Sequence, residues 1–235
     1  MQRLNTFYLK WLATIFMLCD HIAYTCISPS SIWLIPMRCI GRLAAPIFWF
    51  CFIEGYKNTR DKKKYAFRLF IASVGMMVGN TVLVYLLQSQ NIYLKITPIN
   101  PNMFFTMSLM LIAITLLNNC IKEVNKLKFC LEFIFAMSVL LFTGLYAEYN
   151  WFAVFSILAL YFVPQKAIKY ILFIIGNIVL SFLQGNPYQS FMVAAVLFFL
   201  LYKNEKPQKS MKYFFYIFYP LHLWILMIIG VCIRI

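Results

Sequence analysis

The residues of this chain that can do chemistry are few, and most lie inside apolar runs. Asp20 and His21 interrupt the run Phe7–Ile27, and Arg38, Arg42 and Glu54 interrupt Met37–Tyr56. Glu132 sits in Phe129–Thr143, Glu148 opens Ala147–Val163, and His222 lies in Tyr213–Ile233. A charge near the centre of a bilayer costs at least about 2.5–3.5 kcal/mol on insertion scales, so such residues are functional candidates by default. An imidazole suits proton transfer near neutral pH. A guanidinium group suits an oxyanion or a carboxylate. Arg38 and Arg42 are four apart and share a helical face. An outward-running first helix and an inward-running second one bring Asp20, His21, Arg38 and Arg42 to a similar depth. The plain structural alternative is an ion pair of Asp20 with one Arg that locks two helices. It leaves His21 unexplained, because a neutral imidazole needs no partner charge.

The elements that position these groups follow from composition. The 235 residues are 63% hydrophobic and only 12% charged, with a mean hydropathy of +0.78. Soluble domains carry about 25% charged residues. The chain therefore lacks polar surface to face water all round. Continuous apolar runs such as Phe191–Tyr202 exclude the alternating pattern of a membrane β-barrel. The expected fold is all-α: a polytopic integral membrane helical bundle, one domain over 1–235, of about nine transmembrane helices. The remaining spans are Tyr65–Leu87, Met103–Asn119, Ile168–Leu183 and Tyr188–Tyr202. Ser28-Pro29-Ser30, Pro98-Ile99-Asn100-Pro101, Pro164 and Gly185-Asn186-Pro187 read as connectors. Leu4–Ile27 is too long for an ordinary signal-peptide core and reads as the first membrane helix.

Charge orients the bundle. With nine spans and an inside N-terminus, the inner segments hold Arg3, Lys10, the Lys57–Arg68 loop, Lys122, Lys126, Lys128, Lys166, Lys169, Lys203, Lys206, Lys209 and Lys212. The outer segments keep Lys95 and Arg234. This is the positive-inside pattern of a multi-pass cytoplasmic-membrane protein whose C-terminus is outside. It accounts for the net charge of +14 through contact with anionic lipid headgroups, without nucleic acid. The seven cysteines form no CxxC pair and the two histidines no metal-spaced cluster, so no metal is expected.

Four further groups have two readings each. Lys57, Arg60, Lys62, Lys63, Lys64 and Arg68 can hold the phosphates of a nucleotide-like cofactor, or serve topology and lipid contact. Glu54 beside Lys57 and Arg60 reads as part of that site or as a snorkelled surface acid. Glu148 with Tyr149, Asn150 and Trp151 reads as an outer-mouth site or as an interfacial anchor. In the last helix Pro220 predicts a kink, with Tyr219 and His222 three apart on one face. The plain alternative there is an aromatic packing helix.

These residues come in a recognisable order. Leu18-Cys19-Asp20-His21-Ile22 is one block. Arg38-Cys39-Ile40-Gly41-Arg42-Leu43-Ala44-Ala45-Pro46-Ile47-Phe48 followed by Glu54-Gly55-Tyr56-Lys57-Asn58-Thr59-Arg60 is a second. Asn102-Met103-Phe104-Phe105-Thr106 and Tyr213-Phe214-Phe215-Tyr216-Ile217-Phe218-Tyr219-Pro220-Leu221-His222 complete it. Together they resemble the TraX family, named for a conjugation protein that N-acetylates pilin. Ala45 departs from the Phe expected before the Pro, and Tyr146 to Trp151 fits the family's acidic, Gly-rich segment loosely.

The resemblance implies acetyl transfer from cytoplasmic acetyl-CoA to an extracytoplasmic amine or hydroxyl, on a peptide or pilin N-terminus or a surface glycan. The lysosomal heparan-glucosaminide acetyltransferase follows a similar logic. On that reading His21 is the general base. Asp20 orients it, or instead holds Arg38 or Arg42. An Arg stabilises the oxyanion or holds an acceptor carboxylate. Glu148, Tyr219 and His222 line the substrate end, His222 being the alternative base. Glu54, Lys57, Arg60, Lys63 and Arg68 hold the CoA. Direct transfer and an acyl-His intermediate both remain open. Two rival classes also fit intramembrane charge: a small transporter or flippase for a charged metabolite, and a non-catalytic scaffold of an export system.

Overall fold

The computed structural model describes residues 4–88, 101–205 and 212–234. The bases Arg3, Lys95, Lys206 and Lys209, the Pro98-Ile99-Asn100 turn and the side chains of Lys212 and Arg234 lie outside the described residues. The described chain is all-helical: α1 Thr6–Cys26, α2 Leu34–Gly41, α3 Ala44–Asn58, α4 Lys62–Gln88, α5 Met103–Cys120, α6 Lys126–Tyr146, α7 Asn150–Phe162, α8 Lys166–Leu183, α9 Val196–Leu200 and α10 Lys212–Arg234. A 3₁₀ helix, Pro187–Ala195, runs directly into α9. Side chains that accept the first orphan N–H groups set several starts. Asn5 caps α1, Asn102 caps α5 and Asn125 caps α6. Asp61 takes the N–H of Lys64 at 2.9 Å, a bond that holds its exposed carboxyl below the usual range.

Six described helical segments are long and apolar enough to cross a membrane: Leu34–Asn58, Lys62–Leu87, Met103–Cys120, Lys126–Tyr146, Lys166–Leu183 and Tyr213–Cys232. Together with α1 and the shorter apolar segments Asn150–Phe162 and Pro187–Leu200, they correspond to the nine expected spans. The protein is a multi-pass helical membrane bundle. Burial sorts the helices. The segments Leu34–Asn58 and Met103–Cys120 are each 56% buried over their most apolar stretch, against 17% for α8 and 22% for α6. So α3 and α5 form the centre, and α6 and α8 turn apolar faces outward: Ile134, Leu141, Ile171 and Ile175 are all exposed. Such a surface fits lipid and not water.

Two spans differ from the straight helices expected. Met37–Tyr56 is two helices, because α2 ends at Gly41 and α3 starts at Ala44. Pro46 offers no N–H and its ring crowds the carbonyl four residues back, at Arg42, where the ladder breaks. Tyr188–Tyr202 begins as nine residues of 3₁₀ helix, far longer than such runs usually are.

Gly41 makes the α1–α2 contact possible: a Cβ there would overlap the side chain of Asp20. Gly75 on α4, by contrast, has open space around its Cβ position. Gly41→Ala is therefore expected to destabilise by about 1–3 kcal/mol through overpacking, and Gly75→Ala to be neutral or stabilising by up to about 1 kcal/mol through helix propensity. Thermal unfolding of both variants in one detergent checks the opposite signs. Equal effects of the two would contradict the packing described.

Candidate functional site

The break between α2 and α3 frees Arg42 to turn onto α1. Its Nη2 donates to both oxygens of Asp20, at 2.7 and 2.6 Å. Nη1 of Arg38 completes the cluster at 3.0 Å from Oδ1. Asp20 and Arg42 are buried, whereas the Arg38 side chain keeps 31% of its surface and stacks over Tyr24. Nη1 of Arg42 donates to Oε1 of Gln189 in the 3₁₀ helix at 3.4 Å. Asp20 is thus engaged by both guanidinium groups, and no hydrogen bond joins it to His21 among the contacts described.

His21 has a different partner. Its Nδ1 lies 2.8 Å from Nε2 of His222 on α10, and the two rings are 5.0 Å apart. Nδ1 of His222 lies 2.8 Å from the carbonyl oxygen of Phe218, and the Phe218 ring stacks on the His222 ring at 5.0 Å. A carbonyl only accepts, so Nδ1 of His222 carries a proton. With both rings neutral, Nε2 of His222 then accepts, and Nδ1 of His21 carries the proton between them. That leaves the lone pair of His21 on Nε2, opposite the relay. His222 is buried, while His21 keeps part of its surface. Arg38 and Arg42 are within electrostatic reach of His21.

A second cluster adjoins the first through α10. Tyr219 Oη donates to Oε2 of Glu148 at 3.2 Å, and its ring is 5.8 Å from that of His222. The backbone at Met103, the start of α5, lies within electrostatic reach of the Glu148 carboxylate, where a helix N-terminus favours negative charge. The carbonyl of Glu148 accepts from Thr106 at 3.2 Å. The following residues, Tyr149 and Asn150, both have positive φ, 62° and 45°. Backbone of this kind is disfavoured for bulky residues and clusters at functional sites. It holds Tyr149 edge-on to Trp49, centroids 5.5 Å apart, and within electrostatic reach of Arg42 and Asp20.

Below these clusters a cavity of about 160 Å³ runs between α1, α3, α4, α5 and α10. Its lining includes Phe218, Tyr219 and Met103 as well as Lys10 and Arg68.

The structure thus brings Asp20, His21, Arg38, Arg42, Glu148, Tyr219 and His222 into two adjoining groups. It does not bring the five expected cofactor residues together. Arg68 lines the cavity. Glu54 takes Lys57 at 3.3 Å and the Tyr202 hydroxyl at 3.2 Å, and Arg60 and Lys63 are exposed. Sequence reasoning missed Lys10, Thr14 and Gln189 as site residues. Lys10, Thr14, Met17 and His21 do share one helical face by spacing, a signal for the first two. Nothing local marks Gln189.

Comparison with known proteins gives the same order of elements a family. The chain is 26% identical to the "Probable fimbrial assembly protein FimC, serogroup H1" of Dichelobacter nodosus, with 94% of each chain covered. No solved structure matches. The family profile described as TraX protein matches residues 6–230, so it takes in both histidines, the Asp20–Arg38–Arg42 cluster and Glu148, and the chain belongs to the TraX family.

Proposed function

We propose that the protein is a membrane-embedded acyltransferase that acts as one unit. It moves an acetyl group from acetyl-CoA on the cytoplasmic face to an amine or hydroxyl presented on the other face. The observation that carries this reading is the relay from the Phe218 carbonyl through His222 to His21, which leaves Nε2 of His21 as an unprotonated base. Nε2 accepts the proton of the acceptor N–H or O–H as the acceptor attacks the thioester carbonyl. The tetrahedral adduct then collapses, breaking the C–S bond, and the proton passes from His21 to the departing thiolate, giving free CoA. The two Nη groups of Arg42 are engaged by Asp20 and Gln189. Arg38, partly exposed, is the guanidinium group available to the developing oxyanion. Asp20 positions both arginines.

Topology supports donor entry from the basic end. The chain at Leu4 pairs with Leu201 and Lys203, and Glu54, Lys57 and Tyr202 lie at the same end. We assign that end, with the N-terminus, to the cytoplasm and the C-terminus to the outside, in the cell membrane. The name of the Dichelobacter relative, a probable fimbrial assembly protein, supports a fimbrial subunit's N-terminal amine as acceptor.

The test is sided. In proteoliposomes, acetyl-CoA should be consumed only from the face on which an impermeant thiol reagent labels Lys62→Cys in a Cys-free background. The acetyl group should arrive on a pilin-type N-terminal peptide added to the opposite face. Acetylation of a surface glycan in place of the peptide would change the acceptor. No thioester consumption, as expected of a transporter or scaffold, would overturn the reading.

A further inference from the structure

The cavity beneath the histidines has two chemically different ends. Along α1 its lining runs Lys10, Thr14, Met17, and the next residue on that face is His21. Along α10 it runs Phe215, Tyr216, Phe218, Tyr219, and His222 follows. One end therefore abuts the relay, where Met17, Met103 and Tyr219 line it. The other end holds Lys10 and Arg68 with Gly55 and Thr59. Lys10 lies over the Phe215 ring at 5.7 Å. Arg68 stands near the Tyr65 ring at 5.8 Å and within electrostatic reach of Tyr216. The Nε of Arg68 is buried and has no hydrogen-bond partner among the described residues, and such a buried donor calls for an acceptor. Neither Lys10 nor Arg68 forms an ion pair among the described residues. The stretch between is apolar or weakly polar: Cys51, Phe52, Leu69, Phe104 and Met107. At about 1.5 Å per residue, Lys10 stands roughly 16 Å along α1 from His21.

Two unpaired cations at one end of a narrow apolar passage, with a base at the other, fit an anion joined to a slender neutral arm with a reactive group at its tip. We propose that Lys10 and Arg68 clamp the phosphate next to the pantetheine arm of the acyl donor, so that the protein recognises the donor as a phosphopantetheine thioester and not through its adenosine. The proposal rests on the acyltransferase reading and deepens it. The arm threads the cavity and delivers the thioester carbonyl beside Nε2 of His21. Arg60 and Lys63, exposed at the basic end, attract the anionic donor from solution without gripping it.

The experiment compares acetyl-CoA, acetyl-phosphopantetheine and acetyl-pantetheine as donors for the purified full-length protein in nanodiscs. Acetyl-phosphopantetheine should match acetyl-CoA in KM to within a few-fold, and acetyl-pantetheine should have a far higher KM. Charge-assisted hydrogen bonds of this kind correspond to about 10–100-fold in affinity. Lys10→Gln and Arg68→Gln should each raise KM for both phosphorylated donors by about that factor. The KM gap between acetyl-phosphopantetheine and acetyl-pantetheine should shrink accordingly. Arg68→Lys, which keeps the charge, should recover part of the loss and guards against a folding defect in Arg68→Gln. A KM for the phosphorylated donors that both Gln variants leave unchanged would overturn the clamp and leave the acyltransferase reading standing. So would phosphatidylglycerol that co-purifies with the wild type and is lost from those variants, which would make the channel a lipid site. A wild-type KM for acetyl-phosphopantetheine as high as that for acetyl-pantetheine would place recognition on the nucleotide instead. Consumption of no thioester at all by the wild type would overturn both readings together.

Discussion

Asp20→Ala is expected to unfold or severely destabilise the protein, by about 3–5 kcal/mol, because it leaves two guanidinium groups without their carboxylate in a buried site. Arg42 is the more exposed to this loss: it is buried, and both Asp20 oxygens lie within 2.7 Å of its Nη2. Arg38→Ala should cost far less, since that side chain is partly solvated and Asp20 keeps Arg42. A compensating variant separates charge from packing. Asp20→Ala combined with Arg38→Ala and Arg42→Leu removes all three charges and should recover much of the stability lost by Asp20→Ala. Melting temperatures in a single detergent are the measurement. An Asp20→Ala protein that melts like the wild type would show that the cluster does not hold α1 to α2.

His21→Ala is expected to lower acetyl transfer by roughly 10²–10⁴-fold, the usual loss when a positioned general base is removed. It should leave the fold intact, because the residue is not among the fully buried ones and the substitution removes one side chain from a polar cluster. Acetyl-CoA should still bind, since the proposed phosphate contacts lie at the far end of the cavity. His222→Ala should also slow transfer, by less, because it removes the acceptor that fixes the tautomer of His21 and not the base itself. The two substitutions should not add. Once His21 is gone, removing His222 should change little further. Full additivity in the double variant would mean that the two rings act independently.

Several of these features were legible in the sequence because they depend on local spacing. Intramembrane charge singled out Asp20, Arg38, Arg42 and Glu148, and the four-residue interval put both arginines on one face toward α1. The helical class and the approximate positions of the spans followed from continuous apolar runs. Pro46 was in plain view, but a run of apolar residues across it reads as one helix until the ladder is seen to break. The 3₁₀ stretch Pro187–Ala195 leaves no comparable mark. Its polar residues Gln189 and Ser190 look like connector chemistry, and only the fold places Gln189 against Arg42.

Long-range partnership was the hardest to read. His21 and His222 are 201 positions apart, and no periodicity links α1 to α10. Their contact depends on how the bundle closes, so the two imidazoles read as rivals for one role when they form one relay. Lys10 was counted with the topological bases, because a single Lys near a helix start has that role by default. Its register with Thr14, Met17 and His21 was visible, and the cavity gives that register a meaning. The Lys57–Arg68 loop drew attention by density of charge. In the structure much of that charge is answered locally, with Lys57 on Glu54 and Lys64 on Asp61, and Lys62 over the Tyr56 ring.

The most direct test of the central claim is single-turnover acetyl transfer from acetyl-CoA by purified wild type, His21→Ala and His222→Ala, with acetyl-CoA binding measured separately on the same preparations. The account predicts transfer by the wild type, an intermediate rate for His222→Ala, the lowest rate for His21→Ala, and binding retained in all three. Near-normal transfer by His21→Ala beside an inactive His222→Ala would reverse the assignment of the base, and near-normal transfer by both would contradict the mechanism.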